Sequence, residues 1–522
     1  MLDFKTTKNS FLSKTLLLRR IEDYINNLSN KNIKIKSRNL SIAASRITVP
    51  QPFYPYIKYI EERTKKEFPS DLYFTIDEVR QQDRILIDKF STSNFDFSKL
   101  NLDLLIKASI KATQELGICD KKHVPISVKE SAESFPNNTS SGFPIFKRKD
   151  NFTSREDAIS WTKKQLEKGN LKEFLSQPTA VFHRFQYKAK IIGEKTELSK
   201  KIRPVWGVSY RILTFEGMFF RSIVDSVTES QLRLSNPISP TGRTKKQISD
   251  SVIKNLRTYK SNIVSVDYSL FDSYVPSFMW SLFYSNVEQC IEFRGYNSNS
   301  LDNLMVFHCF TPYCWNSTIL KFQRRGVPSG CLITNLFDTW VNRVIINYAF
   351  LEYNKNSEVY PNSRACCLGD DLIFVEQDIT YSHFLNVTKR FGMVLQIEKS
   401  SIYKYNEPLT FIGYNWDIED RPTQSIEWYI AHLCMPSRFF RNYPFPVSVL
   451  QTYRGISICM SLFGGMNMFE YLVGWADTVY IELKHKYNNQ EDPLITYVGE
   501  DMRYYGLRIP MSVIFNEGWE SL

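Results

Sequence analysis

The strongest constraint on this chain is a pair of short apolar runs, far apart in sequence, that lead into carboxylates. Ile263-Val264-Ser265-Val266 runs into Asp267, and its β-branched composition predicts a buried strand with that acid at its end. About a hundred residues on, Ala365–Leu368 is followed by Gly369-Asp370-Asp371 and then by Leu372–Val375. Two apolar runs around a glycine-containing tight connection predict a hairpin with acids at its tip. If that hairpin pairs beside the first strand, Asp267 and Asp370 converge at one sheet edge. Asp272 follows five residues after Asp267, past the strand's end.

Acids so arranged suit phosphodiester formation, in which a 3′-hydroxyl must become nucleophilic and a pyrophosphate leaving group must be stabilised. Two Mg2+ ions about 3.5–4 Å apart clamp both oxygens of such an in-line displacement. Mg2+ prefers carboxylate oxygens and substrate phosphates to an all-protein cage, so two strand-borne acids are the minimum scaffold. Gly-Asp-Asp alone would arise by chance in about one chain in ten of this length, as a plain acidic turn. The partner strand with its own acids changes that balance.

Between the strands lies RRGVPSGCLITNLFDTWVNRV. Gly326, Pro328 and Gly330 predict a bent loop carrying Ser329, and Ile333 onward a helix. Thr334, Asp338 and Asn342 recur at i, i+4 and i+8 and so share one helical face. A polar stripe of this kind suits a ribose hydroxyl, the group that separates RNA from DNA; a solvated helix face is the plainer alternative. Upstream, Lys188, Lys190, Lys195, Lys200, Lys201 and Arg203 crowd one segment. Beside a reaction centre they would hold a triphosphate; taken singly they read as a basic surface strand. Lys399 follows an alternating apolar stretch and is a candidate general acid for the departing pyrophosphate.

The charge balance points the same way. There are 66 Lys and Arg against 55 acidic residues, a net +11 that favours a polyanionic partner through counterion release. The nine cysteines show no CxxC or Cys/His zinc spacing and read as reduced thiols. His123, His183, His308, His383, His432 and His485 likewise show no ligand spacing. No apolar run approaches the ~18 residues of a membrane span, so no membrane partner is expected. The N-terminus lacks a signal-peptide core with a cleavage site. Residues 11–29 and 54–68 read as amphipathic helices, and Pro-punctuated segments followed by a helical region come after Trp416.

Taken in order, these segments resemble the right-hand RNA-dependent RNA polymerases of RNA viruses. Thr139-Ser140-Ser141-Gly142-Phe143-Pro144 is similar to motif G at the template entry, Lys201-Ile202-Arg203-Pro204 to motif F and Asp267–Asp272 to motif A. Gly326–Asn342 is similar to motif B, Gly369-Asp370-Asp371 to motif C, Glu398-Lys399-Ser400 to motif D and Leu409–Trp416 to motif E. The resemblance implies an α/β (α+β) fold with fingers, an antiparallel-sheet palm and a helical thumb, closed by an N-terminal fingers–thumb bridge. The implied boundaries are residues 1–100 for the bridge, 101–260 for the fingers, 261–417 for the palm with a fingers insertion, and 418–522 for the thumb.

The same resemblance implies roles. Asp267, Asp370 and Asp371 would be catalytic and bind two Mg2+ ions, with Mn2+ able to substitute, and Lys399 would act with them. Lys195, Lys201, Arg203, Asp272, Ser329, Thr334 and Asp338 would contact the nucleotide. Thr139, Ser140, Ser141, Gly142, Gly330, Phe411 and Gly413 would contact template or primer. The implied partners are template and product RNA, nucleoside triphosphates and a viral capsid protein, inside the virion or the host cytoplasm.

One departure sharpens the resemblance. Many positive-strand virus enzymes have Asn where this chain has Asp338. An Asp there, with the GVPSG loop and the short chain, looks more like the partitivirus and picobirnavirus enzymes, which transcribe and replicate double-stranded RNA genomes. It also raises a difficulty, because Asp272 and Asp338 cannot both accept from one hydroxyl unaided. Two competing readings stay open: a reverse transcriptase, against which the second acid of motif A speaks, and a non-catalytic RNA-binding, capsid-associated protein with a decayed site, against which the intact acids speak.

Overall fold

The structure is a computed structural model that describes residues 2–29, 73–192, 195–314, 320–354, 364–377, 379–398, 400–425 and 428. The expected helix at 54–68, Lys399 and nearly all of the expected thumb lie outside the described residues.

The expected helix at 11–29 starts earlier, as α1 (Phe4–Ser29). Phe11, Leu18 and Ile25 are fully buried at seven-residue spacing, the narrow stripe a helix uses against a neighbouring helix. Lys14 pairs with Glu288 at 3.2 Å and with Asp302, fastening α1 to the body of the protein. Helix α2 (Ile76–Phe90) follows. Next comes α3 (Leu102–Glu115), capped by Asn101, whose side chain accepts from the backbone N–H groups of Asp103 and Leu104. A long antiparallel hairpin, β1 (Thr179–Ile192) and β2 (Lys195–Gly207), then leads into α4 (Tyr210–Arg233).

Strand β3 (Ile263–Val266) lies where its β-branched run predicts it. Helices α5 (Phe278–Val287) and α6 (Asn299–Cys309) and the short strands β4 (Pro312–Cys314) and β5 (Lys321–Phe322) separate it from α7 (Thr334–Tyr353). Every residue of α7 from Leu336 to Leu351 is buried. Several of its polar members are matched from α3: the Trp340 indole donates to Thr113 Oγ1 at 2.9 Å, and Arg343 Nε and Asn347 Nδ2 donate to Glu115 at 2.7 and 2.8 Å. Burial without such partners costs about 1–3 kcal/mol per group, so α3 and α7 hold each other in one register.

Strands β6 (Ala365–Leu368) and β7 (Asp371–Val375) form the expected hairpin, followed by β8 (Ser401–Tyr403). The resulting sheet has the order β6-β7-β3-β8 and is antiparallel throughout. A second sheet runs β2-β1-β4-β5. A third is built from β9 (Leu409–Phe411), β10 (Tyr414–Trp416) and β11 (Pro422–Thr423). Among the described residues no helix is long and apolar enough to cross a membrane.

Candidate active site

The pairing of β3 with β7 settles which carboxylates meet. Val266 lies opposite Leu372, so the next positions outward are Asp267 and Asp371, with Asp370 in the turn one step beyond. That turn is Gly369-Asp370, closed by the Leu368–Asp371 pair. Gly369 has φ +59° while Asp370 keeps a negative φ, the sign pattern of a type II′ turn, which calls for glycine first.

Both backbone groups of Gly369 are held by α7. Its N–H donates to Thr339 Oγ1 at 2.8 Å, and its carbonyl accepts from Asn342 Nδ2 at 3.1 Å. Asn342 is itself fixed by the Tyr268 hydroxyl, which donates to Asn342 Oδ1 at 2.8 Å. This corrects one expectation from the sequence. The stripe of Thr334, Asp338 and Asn342 is not a solvated face, and Asn342, fully buried, holds the acidic turn instead of reading a ribose. Thr339, the other half of the clamp, carries no sequence signal beyond lying next to Asp338.

Asp267 is anchored through its backbone, with its N–H donating to Ser400 Oγ at 3.2 Å and its carbonyl accepting from Gln396 N–H at 2.8 Å. Asp272 sits in a single helical turn, Phe271–Tyr274, and its carbonyl accepts from Val327 N–H at 2.7 Å. That bond ties the acid to the start of the loop carrying Ser329. Asp338 is 4% exposed, and its buried Oδ1 has no hydrogen-bond partner among the described residues.

The carboxyls perturb one another. Burial, then the charges of Asp272 and Asp370, hold the Asp338 carboxyl well above the ordinary range. Burial and the Asp370 charge push Asp272 up to about 6, against the opposing pull of Arg203 and Lys201. Burial thus favours the protonated, donor form of Asp338 beside Asp272, an arrangement in which the two acids need not compete as acceptors.

Asp267, Asp272, Asp370 and Ser329 line a cavity of about 720 Å3 whose other wall is the β1–β2 hairpin, with Arg184, Lys201 and Arg203. Arg184 lies opposite Arg203 and Gln186 opposite Lys201, so alternation sends these side chains to a common face. Lys200 also lines the cavity, but its ammonium is engaged there, donating to the Tyr73 carbonyl at 2.8 Å and pairing with Glu78 of α2. Ser329 makes only long contacts to β2, 3.4 Å from Trp206 N and 3.5 Å from Pro204 O. The loop can approach β2 this closely because residue 330 is glycine; a Cβ there would stand 1.8 Å from Trp206 O.

Other expected site residues lie elsewhere. Thr334 Oγ1 donates to Pro328 O at 2.9 Å, closing the loop at the start of α7, and neither Thr334 nor Asp338 lines the cavity. Thr139 and Ser140 are exposed, whereas Ser141 and Gly142 are buried, with Ser141 O accepting from Tyr210 N–H at 2.8 Å. Phe411 is buried in a small core with Trp416, so its side chain supports the β9–β10 hairpin, and Gly413 stands exposed at that hairpin's tip. Lys195 opens β2.

The donors at the acidic wall are all hard carboxylate oxygens, which fits a Mg2+-class cation. The crowding that raises Asp272 and Asp338 is what such a cation would relieve.

Comparison with known proteins converges on one group. Residues 88–428 match the family model described as viral RNA-dependent RNA polymerase. The chain is 25% identical over 305 residues to the genome polyprotein of human rhinovirus 1B, a match covering 56% of this chain and 13% of the polyprotein. It is 24% identical over 282 residues to the RNA-directed RNA polymerase of Cryptosporidium parvum virus 1 (strain KSU-1), covering 52% and 51% of the two chains. It is 31% identical over 122 residues to that of Atkinsonella hypoxylon virus (isolate 2H), covering 22% and 18%. The chain thus spans about half or less of the length of these curated relatives. Among solved structures, the RNA-dependent RNA polymerase of a human picobirnavirus aligns with TM-score 0.60 at 16% identity, covering 85% of this chain and 88% of that one. Its insertion-loop deletion mutant aligns with TM-score 0.58 at 12% identity, covering 99% and 90%. Likeness at these identities establishes a shared fold, that of the right-hand polymerases.

Proposed function

We propose that this chain, which belongs to the viral RNA-dependent RNA polymerase family, joins ribonucleotides on an RNA template and so transcribes and replicates a double-stranded RNA genome. The observation that carries the reading is a single cavity with Asp267, Asp272 and Asp370 on one wall and Lys201 and Arg203 on the other. Opposed walls of that kind receive a triphosphate from one side and divalent cations from the other.

Asp267 and Asp370, with Asp371 beside them, would hold two Mg2+ ions or their Mn2+ substitutes, which when bound activate the 3′-hydroxyl and neutralise charge on the leaving pyrophosphate. Lys201 and Arg203, joined by Lys195, bind the triphosphate oxygens by charge-assisted hydrogen bonds. Asp272 accepts from the ribose 2′-hydroxyl, neutral Asp338 donates beside it, and Ser329 and Thr334 shape the loop around the sugar. Lys399 gives a proton to the departing pyrophosphate. Thr139, Ser140, Ser141 and Gly142 guide the template. Gly330, Phe411 and Gly413 steady the primer strand, Phe411 by supporting its hairpin.

The domain boundaries inferred from the motif order, with 1–100 bridging fingers and thumb, belong to the same proposal. So do a capsid-protein partner and a place of action inside the virion or the host cytoplasm. A primer-extension assay on an RNA template tests the central reading. Wild-type protein should incorporate ribonucleotides with Mg2+ and discriminate against deoxyribonucleotides, while Asp370→Ala should not extend. Equal use of deoxyribonucleotides would favour reverse transcription. No turnover with Mg2+ or Mn2+ would favour a non-catalytic RNA-binding role.

A further inference from the structure

We propose that Glu216, His308 and Cys331 form a buried site for a zinc-class divalent metal ion, behind the loop that carries Ser329 and Gly330. The three residues come from separate parts of the chain: Glu216 from α4, His308 from α6, and Cys331 from the segment just ahead of α7. Glu216 and His308 are fully buried and Cys331 is 8% exposed. One ligand atom from each lies within 4.8 Å of the other two. His308 Nε2 is 3.4 Å from Glu216 Oε1. That matches the ~3.3–3.6 Å edge of a tetrahedron built with zinc–nitrogen and zinc–oxygen bonds of about 2.0 Å and a zinc–sulfur bond of about 2.3 Å. The widest pair would close by about 1 Å on loading.

The donors are oriented as ligands. His308 Nδ1 lies 2.9 Å from the Tyr284 hydroxyl, the kind of outer partner that sets the tautomer of a metal-bound imidazole. With Nδ1–H donating there, Nε2 turns its lone pair toward Glu216, and Nε2 has no hydrogen-bond partner among the described residues. Glu216 is held in place from the other side, where Oε2 accepts from Leu332 N–H at 2.9 Å and Oε1 from Ile333 N–H at 3.2 Å. Each oxygen keeps a further lone pair.

Lone pairs facing one another in a dry interior need positive charge between them, supplied by a proton on Nε2 or by a metal. A thiolate with an imidazole selects zinc over Mg2+. One carboxylate and one thiolate balance the two charges of the ion, so the loaded cluster is neutral where net charge is costly. Binding forms a metal–sulfur bond and releases the Cys331 proton to solvent. Burial and the Glu216 charge hold that thiol well above its ordinary value, so the metal must displace a firmly held proton on binding. With three protein ligands the fourth position falls to a water molecule. The loaded site would fasten α4 and α6 to the start of α7 and so fix the nucleotide-facing loop from behind.

Full-length protein purified without chelator and dialysed should retain one zinc per chain by elemental analysis. Replacing zinc with Co2+ should give a thiolate-to-cobalt charge-transfer band in wild-type protein and in Asp370→Ala, since the catalytic acids offer no sulfur. The band should vanish in Cys331→Ala and in His308→Ala. Chelation should lower the thermal midpoint of the wild type and zinc should restore it, a readout that stands even where a variant fails to fold. Wild-type protein with neither zinc nor the band would overturn the proposal, leaving a proton on His308 as the occupant. A band that survives Cys331→Ala would overturn it as well.

Discussion

Two hairpins with connections of the same length differ in what holds their tips. The β6–β7 connection is Gly369-Asp370 and the β9–β10 connection is Ile412-Gly413, each a two-residue loop. The second has φ +49° and +78°, the type I′ pattern. A Cβ at Gly413 would meet nothing within 4 Å and only the Gly413 carbonyl is bonded, to Gln424 Nε2 at 2.5 Å among the described residues, whereas Gly369 has its N–H and its carbonyl both bonded to α7. Turn chemistry alone therefore shapes a hairpin but does not place it. The acid-bearing tip is placed by a buried helix, and that helix is placed by α3 through Glu115. Such over-determination is what a reaction centre needs, because a displacement of about 1 Å can cost about a hundredfold in rate.

The largest test of this contrast removes the chemistry and keeps the clamp. Asp370→Ala leaves the Gly369 bonds intact and should lower single-nucleotide incorporation at least about a thousandfold, the scale of losing a preorganised electrostatic element. Its thermal midpoint should not fall, since Asp370 adds like charge beside Asp272 and Asp338. Residual activity within tenfold of wild type would place the reaction elsewhere.

Next comes the clamp without the acid. Thr339→Val leaves the Gly369 N–H unpaired in the interior, at about 1–3 kcal/mol. If the clamp sets the position of Asp370, kcat should fall about 10–100-fold with KM for the nucleotide nearly unchanged, and Thr339→Ser should restore most of it. A loss of stability with unchanged kcat would reduce Thr339 to a packing residue and break the contrast between the two tips.

A smaller effect separates the glycines. Gly369→Ala and Gly413→Ala both place an L side chain at positive φ, worth about 1–2 kcal/mol of strain. Only at Gly369 does the new methyl also meet a neighbour, Asn335 Oδ1 at 3.2 Å. Thermal midpoints should therefore fall further for Gly369→Ala, and equal shifts would mean that the clamp yields readily.

Much of this site was legible from local pattern. The run Ile263–Val266 and the hairpin around Gly369 are specified by residues adjacent in sequence, and the strands formed where they were expected. The fate of the polar stripe on α7 was not legible, because periodicity defines a face without saying what covers it. Here the covering comes from the acidic turn beyond it and from Tyr268, more than seventy residues earlier. Glu216, His308 and Cys331 were invisible for a related reason: ligand-spacing rules detect sites built within one local segment, and this cluster draws on three.

The subtlest expected effect concerns protons beside the pinned turn. The Asp272 carboxyl is pushed up to about 6, above its ordinary 3.8, so the folded chain binds that proton more tightly than the unfolded chain does. The sign follows from linkage: stability should rise as pH falls through about 6, and the gain should be complete below the unfolded value. Asp338, whose carboxyl burial and the neighbouring acids also raise, adds to the slope with the same sign, because the unfolded chain ionises it at its ordinary 3.8. Thermal midpoints in chelator should therefore increase from neutral pH toward about 5, and saturating Mg2+ should flatten the trend by favouring the ionised carboxylates. Asp272→Asn and Asp338→Asn should each flatten it in part, since each removes a carboxyl that holds its proton more tightly in the folded chain than in the unfolded one. A slope unchanged in both variants would break this account, since neither carboxyl would then bind an extra proton on folding.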